Sequence, residues 1–384
     1  MAPLSLFGRL LLCVFIVIPG LRVIFKYWPT PWLMAILWVL LFIIAMQLLL
    51  STRSNKFQQC VANPWLLFIG SLICITACWH FYPIADGLKN QMLGSDQDNC
   101  IISGANNLLQ GLPPYLTRSY FGNPCSPGPG LLLLYLPFVA LHIYIAGALF
   151  AIGALTLALY QEEKKLLFVG TFLVSIFFCL AIPELLIVGS DLILVGCGIA
   201  FLCLKIPAVL GQKNYLQLIG LSFLCGLLAS SRVNFLVLPF VFFLFIFSQW
   251  RFKSILFLMV SLITATLPGI LIYTMDPNNF TPFHLLSKAE TLLPLPLMLF
   301  VAGVCLLSAA MGLYRFTQNL LSLSGGVFFT LAPMLLALAL SDLSRRHWEL
   351  AQWEGANYLI PLIPLSALLF LLPNQRVKNA LWPD

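Results

Sequence analysis

Long apolar runs, each separated from the next by a short polar segment, recur along almost the whole chain. A helix that crosses a bilayer needs roughly 20 mainly apolar residues, and about twelve runs come near this length. They lie at about residues 9–26, 31–50, 63–81, 131–160, 166–183, 184–204, 215–231, 233–249, 254–274, 291–313, 320–341 and 356–373. Since 61% of the 384 residues are hydrophobic and only 9% are charged, the composition excludes a water-soluble globular protein. The chain is therefore predicted to be an all-α polytopic membrane protein with about 11 or 12 transmembrane helices, which form a single domain over residues 1–384.

The charged residues predict which side of the membrane each loop faces. With a cytoplasmic N-terminus, 12 of the 20 basic residues fall on the inside and 8 on the outside, in the direction of the positive-inside rule. They are scattered without a basic stripe, so no nucleic-acid partner is expected. Ten of the 13 carboxylates fall outside. Because acidic residues contribute little to orientation, their concentration on one face indicates a site there.

Residues 82–130 form the largest polar interruption and are predicted to be the main outer loop. Apolar residues recur at helical spacing between Ile101 and Leu112. A short amphipathic helix is therefore expected at about residues 98–110, lying on the membrane surface. Gly111 and the prolines after it end this helix.

Two pairs of residues in this loop have alternative interpretations. Ser95 and Asp98 fit a capping box at the start of the helix. Asp98, or Asp96 two residues earlier, is also placed to be a catalytic carboxylate at the membrane surface. Cys100 and Cys125 form a disulfide if the loop faces an oxidising compartment, or they remain two free thiols. The residues alone leave both questions open.

Two stretches of the loop, DNCIISGANNLLQGLPPY (98–115) and NPCSPGPGLLLLYLPFVAL (123–141), resemble the first outer loop of the GT-C glycosyltransferases. The stretch GLLASSRVNFLVLP (226–239) is similar to a middle segment of that family, and ANYLIPLIPL (356–365) to its last span. The chain departs from the family pattern at two places: Asn99, Ile101 and Ile102 stand where aromatic residues are frequent, and PCSPGPG stands where a plainer YPP is usual. The subfamily therefore stays open.

The resemblance implies a multispanning enzyme that transfers a sugar, such as a mannosyl or arabinosyl group, from a polyprenyl-phosphate donor to a glycan or lipid acceptor on the outer face. It implies an inverting reaction, in which one carboxylate removes the proton of the acceptor hydroxyl and positive charge holds the departing phosphate. Asp98 takes the position of the family's Asp, and Asp96 is the second candidate for this base. Tyr115 takes the position of the Tyr that follows the proline and is expected to line the cavity.

Six basic side chains are candidates for binding the donor phosphate, because a guanidinium fork or a cationic side chain holds phosphate oxygens. They are Arg232, Arg345, Arg346, His347, Lys288 and Arg118. For the SRRHW segment the alternative is a solvated loop that contacts anionic lipid head groups. Arg232 lies between two apolar runs with almost no loop, so it is either a functional residue or a snorkelling interface residue.

Glu184 and Asp191 are seven residues apart and are expected to share one face of a single helix, two turns from each other. Glu184 then lies at the outer surface and Asp191 lies inside the bilayer. An ionisable residue at that depth points into a bundle cavity, or it has a hydrogen-bonded structural role. Both residues are predicted to line the cavity.

No cofactor is predicted, although a divalent cation is left open. His80, His284 and His347 come from three outer segments without the spacing of a metal site. Besides membrane lipids, the expected partners are the donor and the acceptor of the transfer, and a bacterial inner membrane is preferred to the ER membrane as the location. One alternative is a transporter or flippase for a lipid-linked saccharide, which predicts related halves and broken helices. A non-catalytic membrane scaffold is another.

Overall fold

Helices form all the regular structure in the part of the chain that the computed structural model describes. That part comprises residues 6–50, 55–91, 95–212, 214–247, 250–283, 290, 293–315 and 320–381. No β-strand occurs in these ranges. The expectation of an all-α polytopic membrane protein is confirmed.

The N-terminal part contains α1 (Leu6–Tyr27), α2 (Pro31–Leu50), α3 (Asn55–Val61) and α4 (Pro64–Gly87). The sequence determines the start of α4 locally. The side chain of Asn63 accepts hydrogen bonds from the backbone amides of Trp65 and Leu66 at 2.9 and 3.4 Å, and Pro64 occupies the first helical turn. Both are favoured signals for a helix N-terminus.

The central part contains α5 (Asn99–Leu109), α6 (Pro129–Ala140), α7 (Ala146–Glu163), α8 (Leu166–Phe177), α9 (Ala181–Ile187) and α10 (Leu192–Leu210). Helix α5 is the short helix predicted within the outer loop, and it packs against α6. Helices α8 and α9 meet at a bend of 80°.

The C-terminal part contains α11 (Tyr215–Ala229), α12 (Leu238–Phe247), α13 (Arg251–Met275), α14 (Leu295–Arg315), α15 (Leu320–Arg345) and α16 (Leu362–Leu381). Helices α11 and α13 lie against each other, and α16 lies against α1, α10 and α15. The first and last parts of the chain therefore pack together.

Five helices are long and apolar enough to cross a membrane, and the bent pair α8 and α9 gives a sixth span if it is counted as one. The five are Pro31–Leu49, Pro64–Asn90, Leu192–Leu210, Arg251–Met275 and Leu323–Arg345. Five shorter apolar helices accompany them among the described residues. The protein is a multi-pass membrane protein, and the figure of 11 or 12 spans stays a prediction.

Burial separates central helices from peripheral ones. In α10, 72% of the span is buried inside the protein, whereas in α4 only 6% is buried. Because lipid is as apolar as the protein core, an exposed apolar helix such as α4 is stable at the bundle periphery. Close packing of the interior depends on small residues: a Cβ on Gly226 of α11 would overlap the backbone of Ser261 on α13, and one on Gly130 of α6 would overlap the backbone of Leu227.

Two local expectations are wrong. The capping box is not formed: Ser95 Oγ accepts from the amide of Gln97 at 3.3 Å, and Asp98 itself occupies the N-cap position of α5 without a side-chain cap bond. Its carboxylate is engaged by other partners, described below. Glu184 and Asp191 do not share a helix face either, because the chain turns between α9 and α10 at Gly189, whose φ is 72°.

Candidate functional site

A polar cavity of about 550 Å³ lies where several segments that were predicted to face the outside meet. Its wall is built from the first outer loop, the start of α10, Arg232 in the turn after α11, and the end of α15 with the segment after it. The lining residues are Asp96, Gln97, Cys100, Ser119, Asn123, Pro124, Ser126, Pro127, Asp191, Leu192, Arg232, Asp342, Arg346, Glu354, Gly355, Asn357 and Tyr358. Four acidic residues and two arginines therefore line one cavity in an otherwise apolar bundle.

Asp191 and Arg232 form an ion pair on this wall. Arg232 donates to Asp191 Oδ2 from Nη2 at 2.7 Å and from Nε at 3.2 Å. The Asp191 side chain is 1% exposed and that of Arg232 is 17% exposed. Asp191 occupies the N-cap position of α10, and Arg232 lies in extended backbone just after α11. Arg232 is thus held in a charge pair and does not snorkel towards water.

In the described part of the chain, no group donates to the second oxygen of Asp191. Within the described residues, Asp191 Oδ1 and Gln97 Oε1 are buried atoms of the cavity wall without a hydrogen-bond partner. Buried polar atoms nearly always find a partner in native proteins, often through water or a ligand. Two residues of the cavity wall therefore each hold a buried acceptor oxygen whose hydrogen bond a water molecule or a ligand can supply.

Asp98 lies outside the cavity wall. The hydroxyl of Tyr82 donates to Asp98 Oδ2 at 2.6 Å, and Lys89 Nζ donates to Oδ1 at 2.6 Å. Lys89 also pairs with Asp86. Burial raises the pKa of Asp98, while the ammonium of Lys89 and the hydroxyl of Tyr82 act in the opposite direction. Both oxygens of Asp98 are thus occupied by protein donors, and its assignment as the base stays a prediction.

Asp96 lies on the cavity wall and is held more loosely. Asn123 Nδ2 donates to Asp96 Oδ2 at 3.3 Å, and Asp96 is partly exposed. The two carboxylates that the sequence proposed for one role thus occupy different environments: Asp96 lines the cavity, and Asp98 is buried against Tyr82 and Lys89.

A disulfide joins Cys100 of α5 to Cys125, which resolves the alternative left open by the sequence. The segment around Cys125 is anchored at two further points: its carbonyl accepts from Thr281 Oγ1 at 2.6 Å, and the amide of Gly128 donates to the carbonyl of Ser231 at 2.8 Å. These contacts hold the outer loop against α11 and so place it beside Arg232.

Glu184 does not line the cavity, which corrects its predicted role. Arg22 Nη2 donates to both of its carboxylate oxygens at 3.1 and 3.2 Å, and Lys26 and Tyr27 donate to Oε1 at 3.1 and 3.2 Å. Because the chain turns at the end of α9, Glu184 faces α1. Arg22 Nη1 also donates to Oδ1 of Asn357, a residue of the cavity wall, at 3.1 Å.

Tyr115 does not line the cavity either. It is 5% exposed, its hydroxyl donates to the carbonyl of Pro127 at 2.9 Å, and its ring packs edge-on against Phe280. Tyr115 therefore braces the outer loop from behind.

Of the six candidates for the donor phosphate, Arg232 and Arg346 line the cavity. Arg346 Nη2 lies 3.6 Å from Glu354 Oε2. Arg118 donates to the carbonyl of Gly122 at the surface, at 3.4 Å. Arg345 and His347 are exposed beyond the wall, since the chain reverses after α15, where His347 has a φ of 52°. Lys288 lies outside the described residues.

Several residues of the site had no local signal in the sequence. Asp342 accepts from the backbone amide of Gly355 at 2.7 Å and so fixes the segment that carries Glu354 and Asn357. Tyr358 completes this part of the wall. Only the acidic excess of the outer loops pointed towards Asp342 and Glu354.

A second cavity, of about 330 Å³ and mainly apolar, lies between α4, α5 and the turn before α7. Among its lining residues are Trp79, Tyr82, Ile102, His142 and Tyr144. Tyr82 therefore lines this cavity, and its hydroxyl donates to Asp98.

Among the described residues, no group of three or more His, Cys, Asp and Glu side chains is arranged to hold a metal ion. His80 packs edge-on against Phe81, and His347 lies beyond the cavity wall. His284 lies outside the described residues.

No family model, curated protein or solved structure matches this chain. The fold and the site therefore define its class directly: a multi-pass, all-α membrane protein with a charged cavity at one end of an apolar bundle.

Proposed function

We propose that this protein is an integral membrane glycosyltransferase that moves a sugar from a polyprenyl-phosphate donor to a glycan or lipid acceptor. The observation that carries the proposal is the charged cavity, whose wall joins Asp96 of the GT-C-like loop to Arg232 of the GT-C-like middle segment. Its volume of about 550 Å³ lies within the range of small-molecule sites. The cavity faces the outside, which is the periplasm if the protein resides in a bacterial inner membrane.

The wall holds the two kinds of group that such a transfer needs. A carboxylate accepts the proton of the acceptor hydroxyl, and the new bond forms between that oxygen and the anomeric carbon. The bond from the anomeric carbon to the phosphate oxygen breaks, and its electron pair leaves with the phosphate. A guanidinium group stabilises this departing charge. Arg346 and Arg232 are the cavity residues for that role, and Asp98 and Asp96 are the bases that the resemblance suggests.

A transporter or flippase for a lipid-linked saccharide is the second candidate, and one observation favours it. The 80° bend between α8 and α9 and the turn at Gly189 before α10 make discontinuous helices, which transporters use at their binding sites. The chain shows no internal repeat, however, and the carboxylates of its cavity gather at one end of the bundle.

The test uses the full-length protein, reconstituted in liposomes with radiolabelled polyprenyl-phosphate sugars and a membrane extract as acceptor. We expect radiolabel in the extract and release of polyprenyl phosphate. Asp96→Asn, on the cavity wall, is expected to lower the rate, whereas Glu162→Gln is the matched control, because Glu162 pairs with Lys205 away from the cavity. Movement of the intact donor across the bilayer without sugar transfer would establish the transporter instead.

A further inference from the structure

We infer that Asp191 accepts the hydrogen bond of the acceptor hydroxyl and takes its proton during transfer, and that Arg232 is the residue that positions it. This assignment rests on the proposed function. It gives the reacting role to a carboxylate outside the GT-C-like motif, and three properties of the site support it.

The first property is the unpartnered oxygen. Asp191 is fully buried, it lies on the cavity wall, and Oδ1 has no donor among the described residues. A buried carboxylate oxygen without a donor is unfavourable, so in a native protein a water molecule or a ligand supplies the missing hydrogen bond. Gln97 Oε1 is a second unpartnered acceptor on the same wall. Two such acceptors fit a hydroxyl-rich ligand.

The second property is the fixed orientation of Asp191. Arg232 binds Oδ2 through Nη2 at 2.7 Å and Nε at 3.2 Å, and among the described residues Oδ1 is left without a donor. Asp191 also occupies the N-cap position of the 19-residue helix α10, so its backbone is fixed at the start of that helix. The residue before Arg232 is tied to the outer loop, since the carbonyl of Ser231 accepts from the amide of Gly128 at 2.8 Å.

The third property is the contrast with the two carboxylates of the motif. Asp98 has donors on both oxygens, from Tyr82 and Lys89, and does not line the cavity. Asp96 lines the cavity, but it is partly exposed and its contact with the Asn123 amide is long, at 3.3 Å. Of the three, Asp191 alone combines a position on the cavity wall, a charge-paired side chain and, among the described residues, a buried oxygen without a donor.

The proposed step balances without an oxidant or a further reactant. The acceptor O–H bond breaks and its proton passes to Asp191 Oδ1 while the acceptor oxygen bonds to the anomeric carbon. The bond between that carbon and the phosphate oxygen breaks, and its electron pair leaves with the polyprenyl phosphate. Asp191 then releases the proton to water.

The experiment compares kcat and the donor KM for the parent protein, Asp191→Asn, Asp96→Asn and Asp98→Asn in liposomes, with thermal unfolding as the check on folding. We expect Asp191→Asn to lower kcat by about 100-fold or more, the usual contribution of general base catalysis, with the donor KM changed only slightly. Formate added to Asp191→Ala is expected to restore part of kcat, because it replaces the missing carboxylate. Arg232→Lys, which keeps the charge, is expected to retain more kcat than Arg232→Gln.

If Asp191→Asn fails to fold, Asp191→Asn combined with Arg232→Gln removes both charges of the pair at once, and we expect it to be folded and to have a lower kcat than Arg232→Gln alone. A folded variant without Asp191 that keeps the parent kcat overturns the assignment and leaves the proposed function standing. Loss of kcat only in Asp98→Asn, with its unfolding temperature unchanged, overturns it as well. A parent protein that transfers no sugar from any donor tested overturns both proposals.

Discussion

Replacing Lys89 with methionine is expected to destabilise the fold by about 3 kcal/mol at neutral pH. Lys89 Nζ lies 2.6 Å from Asp98 Oδ1, and the Asp98 side chain is only 1% exposed. Removal of one partner of a buried ion pair leaves an uncompensated charge and costs about 3–5 kcal/mol. The lower end of this energy range applies to Lys89→Met, because Tyr82 still donates to Oδ2 of Asp98 and because the Asp98 carboxylate can take up a proton.

The loss is also expected to depend on pH, through the carboxyl group of Asp98. Burial already raises the pKa of Asp98, and removing the Lys89 ammonium raises it further. A folded-state pKa above the unfolded value of about 3.9 means that the folded state binds more protons. Stability therefore falls as the pH rises through the interval between the two pKa values. The difference in the free energy of unfolding between Lys89→Met and the parent is therefore smallest below that pH interval and reaches its full size above it.

The free energy of unfolding in mixed detergent micelles, measured at about pH 4 and about pH 8, tests this reasoning. The matched control is Lys205→Met, because Lys205 lies 2.8 Å from Glu162, whose side chain is 32% exposed. The control is expected to lose about 1 kcal/mol or less at either pH. The reasoning is refuted if Lys89→Met and Lys205→Met lose equal free energies of unfolding. It is also refuted if the loss in Lys89→Met is the same at both pH values.

Three further predictions concern the loop, the packing and the topology. Cys125→Ser breaks the disulfide, which joins residues 25 apart in sequence, and is expected to lower the free energy of unfolding by about 3 kcal/mol, a loss that a reductant reproduces in the parent. Gly226→Ala forces a Cβ into the backbone of the neighbouring helix and is expected to lower the free energy of unfolding by about 1–3 kcal/mol. Its control is Gly220→Ala on the same helix, where the added Cβ meets open space and no such loss is expected in the same assay. Asn123→Cys and Glu162→Cys are expected to react with a membrane-impermeant thiol reagent from opposite sides of the membrane, and labelling of both from one side would contradict the sidedness assigned to the loops.

The general form of the site was predictable from the sequence. Charged residues avoid the hydrocarbon region, so the polar interruptions had to meet water at the ends of the helices. The acidic excess of one set of loops then placed a site among them, and Asp96 and Arg346, which come from two of these loops, do lie on one cavity wall. The helix within the outer loop followed from its apolar spacing, and α5 spans Asn99–Leu109.

The positions of individual side chains depended on long-range contacts that no local pattern encodes. The segment between Glu184 and Asp191 reads as one apolar helix, yet packing turns the chain at Gly189, where a positive φ is tolerated without a Cβ. Arg22 reaches Glu184 across 162 residues of sequence. Lys89 follows a predicted span, and nothing in its neighbourhood indicates that its ammonium turns inward to Asp98.

The contact between Arg22 and Asn357 gives the protein a late step in its biogenesis. These residues are 335 positions apart. At about 5–20 residues per second, the ribosome therefore adds Asn357 on the order of 20–60 s after Arg22. Until the segment with Asp342, Glu354 and Asn357 is inserted, the cavity lacks one side of its wall. The earlier helices of a nascent chain are thus made well before the last part of the cavity wall, which the contact with α1 then joins to the first helix.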